Sequence, residues 1–337
     1  MSAIVNRQII LKSRPEGAVS EDNFDLKTGP APRPGDGQVL VRLIYLSLDP
    51  YMRGRMMARK SYIPPFAIGQ VLQGGAVGEV VESRHPGFAA GDLVTGMMGW
   101  EEFSCIDGPG LTRIPGRDIP LPAILGVMGM PGLTAWVGLL DIGRPREGET
   151  VFVSAASGAV GSVVGQIAKI RGCRAVGAAG SDDKVAWLTD ILGFDAAFNY
   201  KTGDLHRALA EACPAGIDIN FENVGGPMLE AVLPHMNDFG RIAFCGAISE
   251  YNDKTPRPGP RGLLLTVARR LRIEGFVVSD HLARFPEFIG DMGPWLKEGR
   301  IKYRQTVVDG IDAAPRAFIG LFKGENFGKL IVRVGEE

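Results

Sequence analysis

The chain has little cysteine and little histidine, four of each in 337 residues. Cys105, Cys173, Cys213 and Cys245 lie 68, 40 and 32 residues apart. That leaves no CxxC pair, no zinc-finger spacing and no dense disulfide framework. The thiols are expected to be buried and reduced, in a cytoplasmic setting. Charge of one sign is also missing: 37 Lys and Arg face 38 Asp and Glu, a net charge of −1. A general nucleic-acid binder needs a basic face, so that class is excluded. Near Arg7 only Ile9, Ile10 and Leu11 are apolar before Lys12, too short a run for a secretory core. The longest uncharged stretch, residues 119–140, could span a bilayer by length alone. Pro120, Pro122 and Pro131 interrupt it, with Gly126, Gly129, Gly132 and Gly138. It is expected to be a bent, buried segment at a domain junction, and no membrane partner is expected.

What the chain does have is glycine, 46 residues, roughly twice the usual share. Hydrophobic residues make up 45% and charged residues 22%. A chain of this length and composition predicts two globular domains. Residues 38–49 (QVLVRLIYLSLD), 67–82 and 92–106 read as extended runs broken by turns, which predicts a partly open β-barrel. From residue 149 the pattern changes. Strand-like stretches at 151–155, 174–180, 195–200, 217–224, 241–248 and 272–279 alternate with helical ones. Six such alternations predict an α/β domain with a doubly wound, parallel Rossmann sheet buried on both faces. A helix over 313–322 and a strand over 329–334 follow that finished sheet. The strand has no place in it and is expected to rejoin the first domain. The domains are accordingly set at 1–125 with 312–337, and at 126–311.

The sharpest motif is Ala155-Ala156-Ser157-Gly158-Ala159-Val160-Gly161, between the first strand and first helix of the sheet. Two glycines let the backbone approach a pyrophosphate at a helix N-terminus. Ala156 stands where the GxGxxG pattern has its first glycine. The end of the second strand selects the cofactor. NAD-binding chains place an acid there to hold the ribose hydroxyls. Residues 177–181 (GAAGS) carry no acid, and Lys184 follows within a helical turn. A cation there suits a 2′-phosphate, so NADP is expected over NAD, with Asp182 and Asp183 as the opposing signal.

At this point the sequence resembles the zinc-independent medium-chain dehydrogenase/reductases. The branch is that of leukotriene B4 12-hydroxydehydrogenase/prostaglandin reductases, plant alkenal double-bond reductases and bacterial NADPH-dependent curcumin reductases. Matching stretches are LSLDPYMRGRM (46–56), SYIPP (61–65), HPGF (85–88), GMPGLTAW (129–136), EGETVFVSAASGAVGSVVGQIAK (147–169), FENVGG (221–226), CGAISEYN (245–252), EGFVVSD (274–280) and GLFKGENFGKLIV (320–332). The resemblance implies a GroES-like domain built from both chain ends, a Rossmann NADP-binding domain and a homodimer. Carried over by position, Gly158, Ala159, Val160 and Gly161 would meet the pyrophosphate. Lys184 and Tyr200 would hold the 2′-phosphate. Asn223, Cys245, Gly246, Ala247, Ile248, Ser249 and Tyr251 would line the ribose and nicotinamide side. Phe276, Val277, Val278 and Asn326 would complete the nicotinamide end. No metal is expected, because Gly69-Gln70-Val71 lacks the histidine of the zinc-dependent relatives' Gly-His-Glu turn.

The implied reaction is NADPH-dependent reduction of the carbon–carbon double bond of α,β-unsaturated ketones or aldehydes. Hydride goes to the β-carbon, and a hydroxyl stabilises the enolate oxygen. Some relatives carry a tyrosine at the position of Ala268. The acid must therefore come from elsewhere, and Tyr251, Tyr62 and Tyr51 are the candidates. The alternatives are an NADPH quinone oxidoreductase and a non-catalytic NADPH-binding sensor.

Overall fold

A computed structural model describes residues 4–337, folded as two compact units. One holds the chain to Leu125, Gln305–Asn326 and Leu330–Glu337; the other holds Gly126–Arg304 and Phe327–Lys329.

The first unit is antiparallel β-structure. Val5–Leu11 pairs with Phe24–Pro30 as a hairpin. Gln38–Ser47 lies at the centre of a seven-stranded sheet, paired with Gln73–Ser83 on one side and Phe103–Asp107 near its start. The last strand, Lys329–Arg333, adds to Gln38–Ser47 through Ile331 opposite Ser47, so the orphan strand does join this sheet. Its inward residues pack around Trp100, with Phe24 stacked at 6.1 Å and Phe318 edge-on at 5.7 Å. The extended run expected from residue 67 starts only at Gln73. Gly69, at φ +80°, turns the chain first, with the Gln70 N–H bonding to Ala67 O.

The second unit carries six parallel strands: Thr150–Val153, Arg174–Ala179, Ala196–Asn199, Ile217–Glu222, Met236–Phe244 and Arg272–Gly275. In this numbering their spatial order is 3-2-1-4-5-6, the Rossmann order. Val151, Phe152, Val153, Ile219 and Phe221 are fully buried, as a sheet covered on both faces requires.

Two local expectations are corrected. The fifth strand starts at Met236 and ends at Phe244, rather than spanning 241–248. It leaves the sheet because the N–H groups of Cys245 and Gly246 both bond to Glu222 O. The helix after the second strand is α-helical only over Asp182–Ala186 and widens over Trp187–Ile191, where the Leu192 N–H reaches back to Trp187 O. The stretch at 119–140 is bent as expected, into helices Leu121–Ile124 and Met130–Val137. No helix among the described residues is long and apolar enough to cross a membrane.

Candidate functional site

The site is built on the carboxyl ends of the six parallel strands. After Thr150–Val153 the chain turns sharply at Ala155, whose φ of +49° is the left-handed conformation that favours glycine. The strained residue is thus Ala155 and not the expected first-glycine position. Ala156 is fully buried, and a Cβ on Gly177 would come 2.7 Å from its methyl. The glycine on the neighbouring strand is what lets alanine stand there. Gly161 opens the helix Gly161–Ile170, and a Cβ there would lie 2.6 Å from Ala155 O. The helix therefore packs close to the strand end. Among the described residues the N–H groups of Ala159 and Val160 have no backbone acceptor, so they and the helix dipole offer an anion site. The segment Phe327–Lys329 crosses this turn, with the Gly328 N–H bonding to Ser157 O at 3.0 Å. Asn326 immediately precedes it.

At the end of the second strand, Gly180 leaves room for Tyr200: a Cβ there would lie 3.1 Å from the phenol oxygen and 3.3 Å from Lys201 Cε. Burial and the nearby Lys201 charge pull the Lys184 ammonium below its ordinary range, and burial raises the Tyr200 phenol. Lys184 Nζ also lies 5.9 Å from the Phe327 ring, which stacks edge-on to Trp187 at 4.9 Å. Two ammonium groups and a phenol thus gather where strand two ends without an acid. Lys201 escaped sequence reasoning, because it meets Lys184 only through the fold. The Asp182 carboxylate accepts a hydrogen bond from Asn199 Nδ2 at 2.8 Å.

The other half of the rim is tied to the fourth strand. Asn223 Nδ2 donates to Ser154 O at 2.7 Å. Ile248 N–H bonds to Asn223 O, and Ser249 to Val224 O through both its N–H and its hydroxyl. The loop from Cys245 to Tyr251 is thereby fixed against the end of Ile217–Glu222. Tyr251 lays its hydroxyl on Gly246, where a Cβ would come within 2.8 Å. Phe276 turns its ring into the core, edge-on to Phe221 at 6.2 Å and against Gly138, and leaves backbone to the rim. Val277 and Val278 follow it, partly buried. These features fit an NADPH dinucleotide: a backbone anion cradle, a cationic pocket at the second strand, and an ordered loop pair beyond the fourth.

The remaining tyrosines belong to the first unit. Tyr51 precedes the short helix Met52–Arg55; burial, and then the Asp49 charge, hold its phenol well above the ordinary range, against the opposing pull of Arg55. Tyr62 is 63% exposed and interacts electrostatically with both Tyr51 and Arg55. The first unit thus groups Tyr51 and Tyr62, whereas Tyr251 lies in the second.

The comparisons with known proteins meet this geometry. Residues 7–114 match the family model described as "N-terminal domain of oxidoreductase", and residues 159–292 the one described as "Zinc-binding dehydrogenase". The NADPH-dependent curcumin reductase of Escherichia coli is 49% identical over 334 residues, 98% of this chain and 97% of that protein. The chain belongs to the zinc-independent medium-chain dehydrogenase/reductases. A 2-alkenal reductase (NADP(+)-dependent) of Nicotiana tabacum is 46% identical over 99% of each chain. CurA of Vibrio vulnificus, solved in complex with NADPH, superposes with a TM-score of 0.94 at 45% identity, covering 98% of this chain and all of that one. The family model's name mentions zinc, but among the described residues no group of three or more His, Cys, Asp or Glu side chains could hold a metal ion.

Proposed function

We propose that this protein is an NADPH-dependent reductase of the carbon–carbon double bond of α,β-unsaturated ketones and aldehydes. The observation that carries the reading is its end-to-end likeness, at 49% and 46% identity, to proteins named as curcumin and 2-alkenal reductases. NADPH, when bound, supplies the hydride that goes to the β-carbon of the enone. Gly158, Ala159, Val160 and Gly161 hold the pyrophosphate, and Lys184, Lys201 and Tyr200 the 2′-phosphate. Asn223, the run from Cys245 to Tyr251, the backbone of Phe276 to Val278, and Asn326 hold the ribose and nicotinamide end. The second unit acts as the nucleotide-binding domain, and the first as the substrate domain.

The substrate's carbonyl oxygen gains negative charge as its double bond is reduced. A hydroxyl aimed at that oxygen stabilises it and supplies the proton. Tyr251 and Tyr62 take this role, with Tyr51 as the third candidate; burial keeps the Tyr51 phenol protonated across neutral pH. No metal takes part. The open edge strand Arg272–Gly275, with exposed Leu264, Val267 and Leu282 in the same unit, supports a homodimer. The reduced thiols support a cytoplasmic setting.

A panel of enones, enals and quinones, followed by NADPH consumption, tests the reading. Enones and enals are expected to turn over with saturated products. The Tyr62→Phe/Tyr251→Phe double variant is expected to lose more turnover than either single variant while still binding NADPH. Turnover of quinones alone would assign the protein to quinone reduction, and tight binding of NADPH with no turnover would make it a sensor.

A further inference from the structure

A carboxylate lies buried at the point where the strand order of the sheet reverses. Glu222 ends the fourth strand and is fully buried. Its Oε1 accepts from Ser154 Oγ at 2.8 Å, from the Val224 N–H at 2.8 Å and from the Gly225 N–H at 2.9 Å. Its Oε2 accepts from Asn220 Nδ2 at 2.9 Å. These contacts come from two backbone N–H groups, a hydroxyl and a side-chain amide. Among the described residues no Lys, Arg or His pairs with it. Nearby, the Cys245 thiol is pushed up to about 12 by burial and then by the Glu222 charge. Ser154 follows the first strand and Glu222 closes the fourth. These two strands flank the switch point of a 3-2-1-4-5-6 sheet, over which a dinucleotide passes on its way to the nicotinamide side.

A lone buried charge is costly to keep, and hydrogen bonds from neutral donors offset it only in part. We propose that Glu222 is a positioning residue that acts electrostatically, its unpaired negative charge favouring the positively charged nicotinamide of NADP+ over the neutral ring of NADPH. This rests on the NADPH reading above. The charge acts on the pyrophosphate equally in both redox forms, so its signature is the ratio of the two affinities.

The test is fluorescence and calorimetric titration of the folded full chain with NADP+ and with NADPH, without substrate. Glu222→Gln removes the charge and keeps the shape. Asn220 Oδ1 has no partner at present, so a flipped Asn220 amide can accept from the new Gln NH2. The expected result is a Kd(NADP+)/Kd(NADPH) ratio raised about tenfold, equivalent to about 1.4 kcal/mol of differential binding between the two redox forms. The swapped pair Glu222→Gln/Asn220→Asp returns one carboxylate to the same cluster and should restore the wild-type ratio. Parallel weakening of both forms by Glu222→Gln would make the residue a scaffold only and overturn the proposal. So would a swapped pair whose ratio moves, whether or not the single variant folds. Failure of either form to bind the wild-type chain would instead refute the NADPH reading itself.

Discussion

Replacing Lys184 by alanine should turn an NADPH-selective protein into one that barely distinguishes NADPH from NADH. Lys184 is half-buried and already carries the repulsion of Lys201, so a phosphate near both relieves a strain present in the free protein. A hydrogen bond to a charged group contributes about 1.5–3 kcal/mol, which corresponds to a loss of roughly 10- to 150-fold in NADPH affinity. Lys201 is exposed, so its removal should cost only about 0.5–1 kcal/mol, roughly two- to fivefold. The assay is nicotinamide fluorescence titration with NADPH and NADH at two salt concentrations. If the lysine pair meets the 2′-phosphate as proposed, wild-type NADPH affinity should fall with added salt while NADH affinity stays nearly flat. Lys184→Ala should weaken NADPH alone and flatten its salt dependence. Equal weakening of both cofactors would refute the phosphate assignment, as would an unchanged NADPH Kd.

Three further outcomes are expected. Gly165→Ala would press a Cβ to within 1.9 Å of the Phe194 ring and should destabilise the second unit by about 1–3 kcal/mol, read as a lowered Tm in scanning calorimetry. Alkaline pH should also destabilise the fold. Burial raises the Cys173 thiol to about 11 and that of Cys213 to about 12. The unfolded thiols ionise near 8.5, so above that the unfolded state binds fewer protons than the folded one. Each of these two thiols then costs about 1.4 kcal/mol of stability per pH unit until its folded value is reached, and urea midpoints from pH 8 to 10.5 check this. Prolonged chelation should leave turnover unchanged, and chelator-sensitive activity with stoichiometric zinc would contradict the metal-free reading.

The parallel sheet was legible because its strands are buried on both faces and read as apolar runs such as Val151 to Val153. The glycine turn was legible because backbone approach restricts Gly158 and Gly161 by residue type. Its strain was not, since the left-handed residue is an alanine, Ala155, that the surrounding turn over-determines. Strand ends were misjudged where a competing acceptor takes the backbone: Cys245 looks like a continuing strand until Glu222 O captures its N–H. Lys201 and Glu222 went unread for one reason. A lysine after a tyrosine and a glutamate before an asparagine acquire meaning only once the fold sets Lys201 beside Lys184 and Glu222 beside Ser154. Tyr62 and Tyr251 were singled out by motif alone, and periodicity gave no sign of either.

Hydride delivery to carbon, and not to the carbonyl, is the step on which the proposed function stands. It is tested most directly by incubating the protein with an enone and NADPH deuterated at the transferred position, then locating the label by NMR. The expected product is a saturated ketone with deuterium on the β-carbon. An allylic alcohol with deuterium on the carbinol carbon would contradict it.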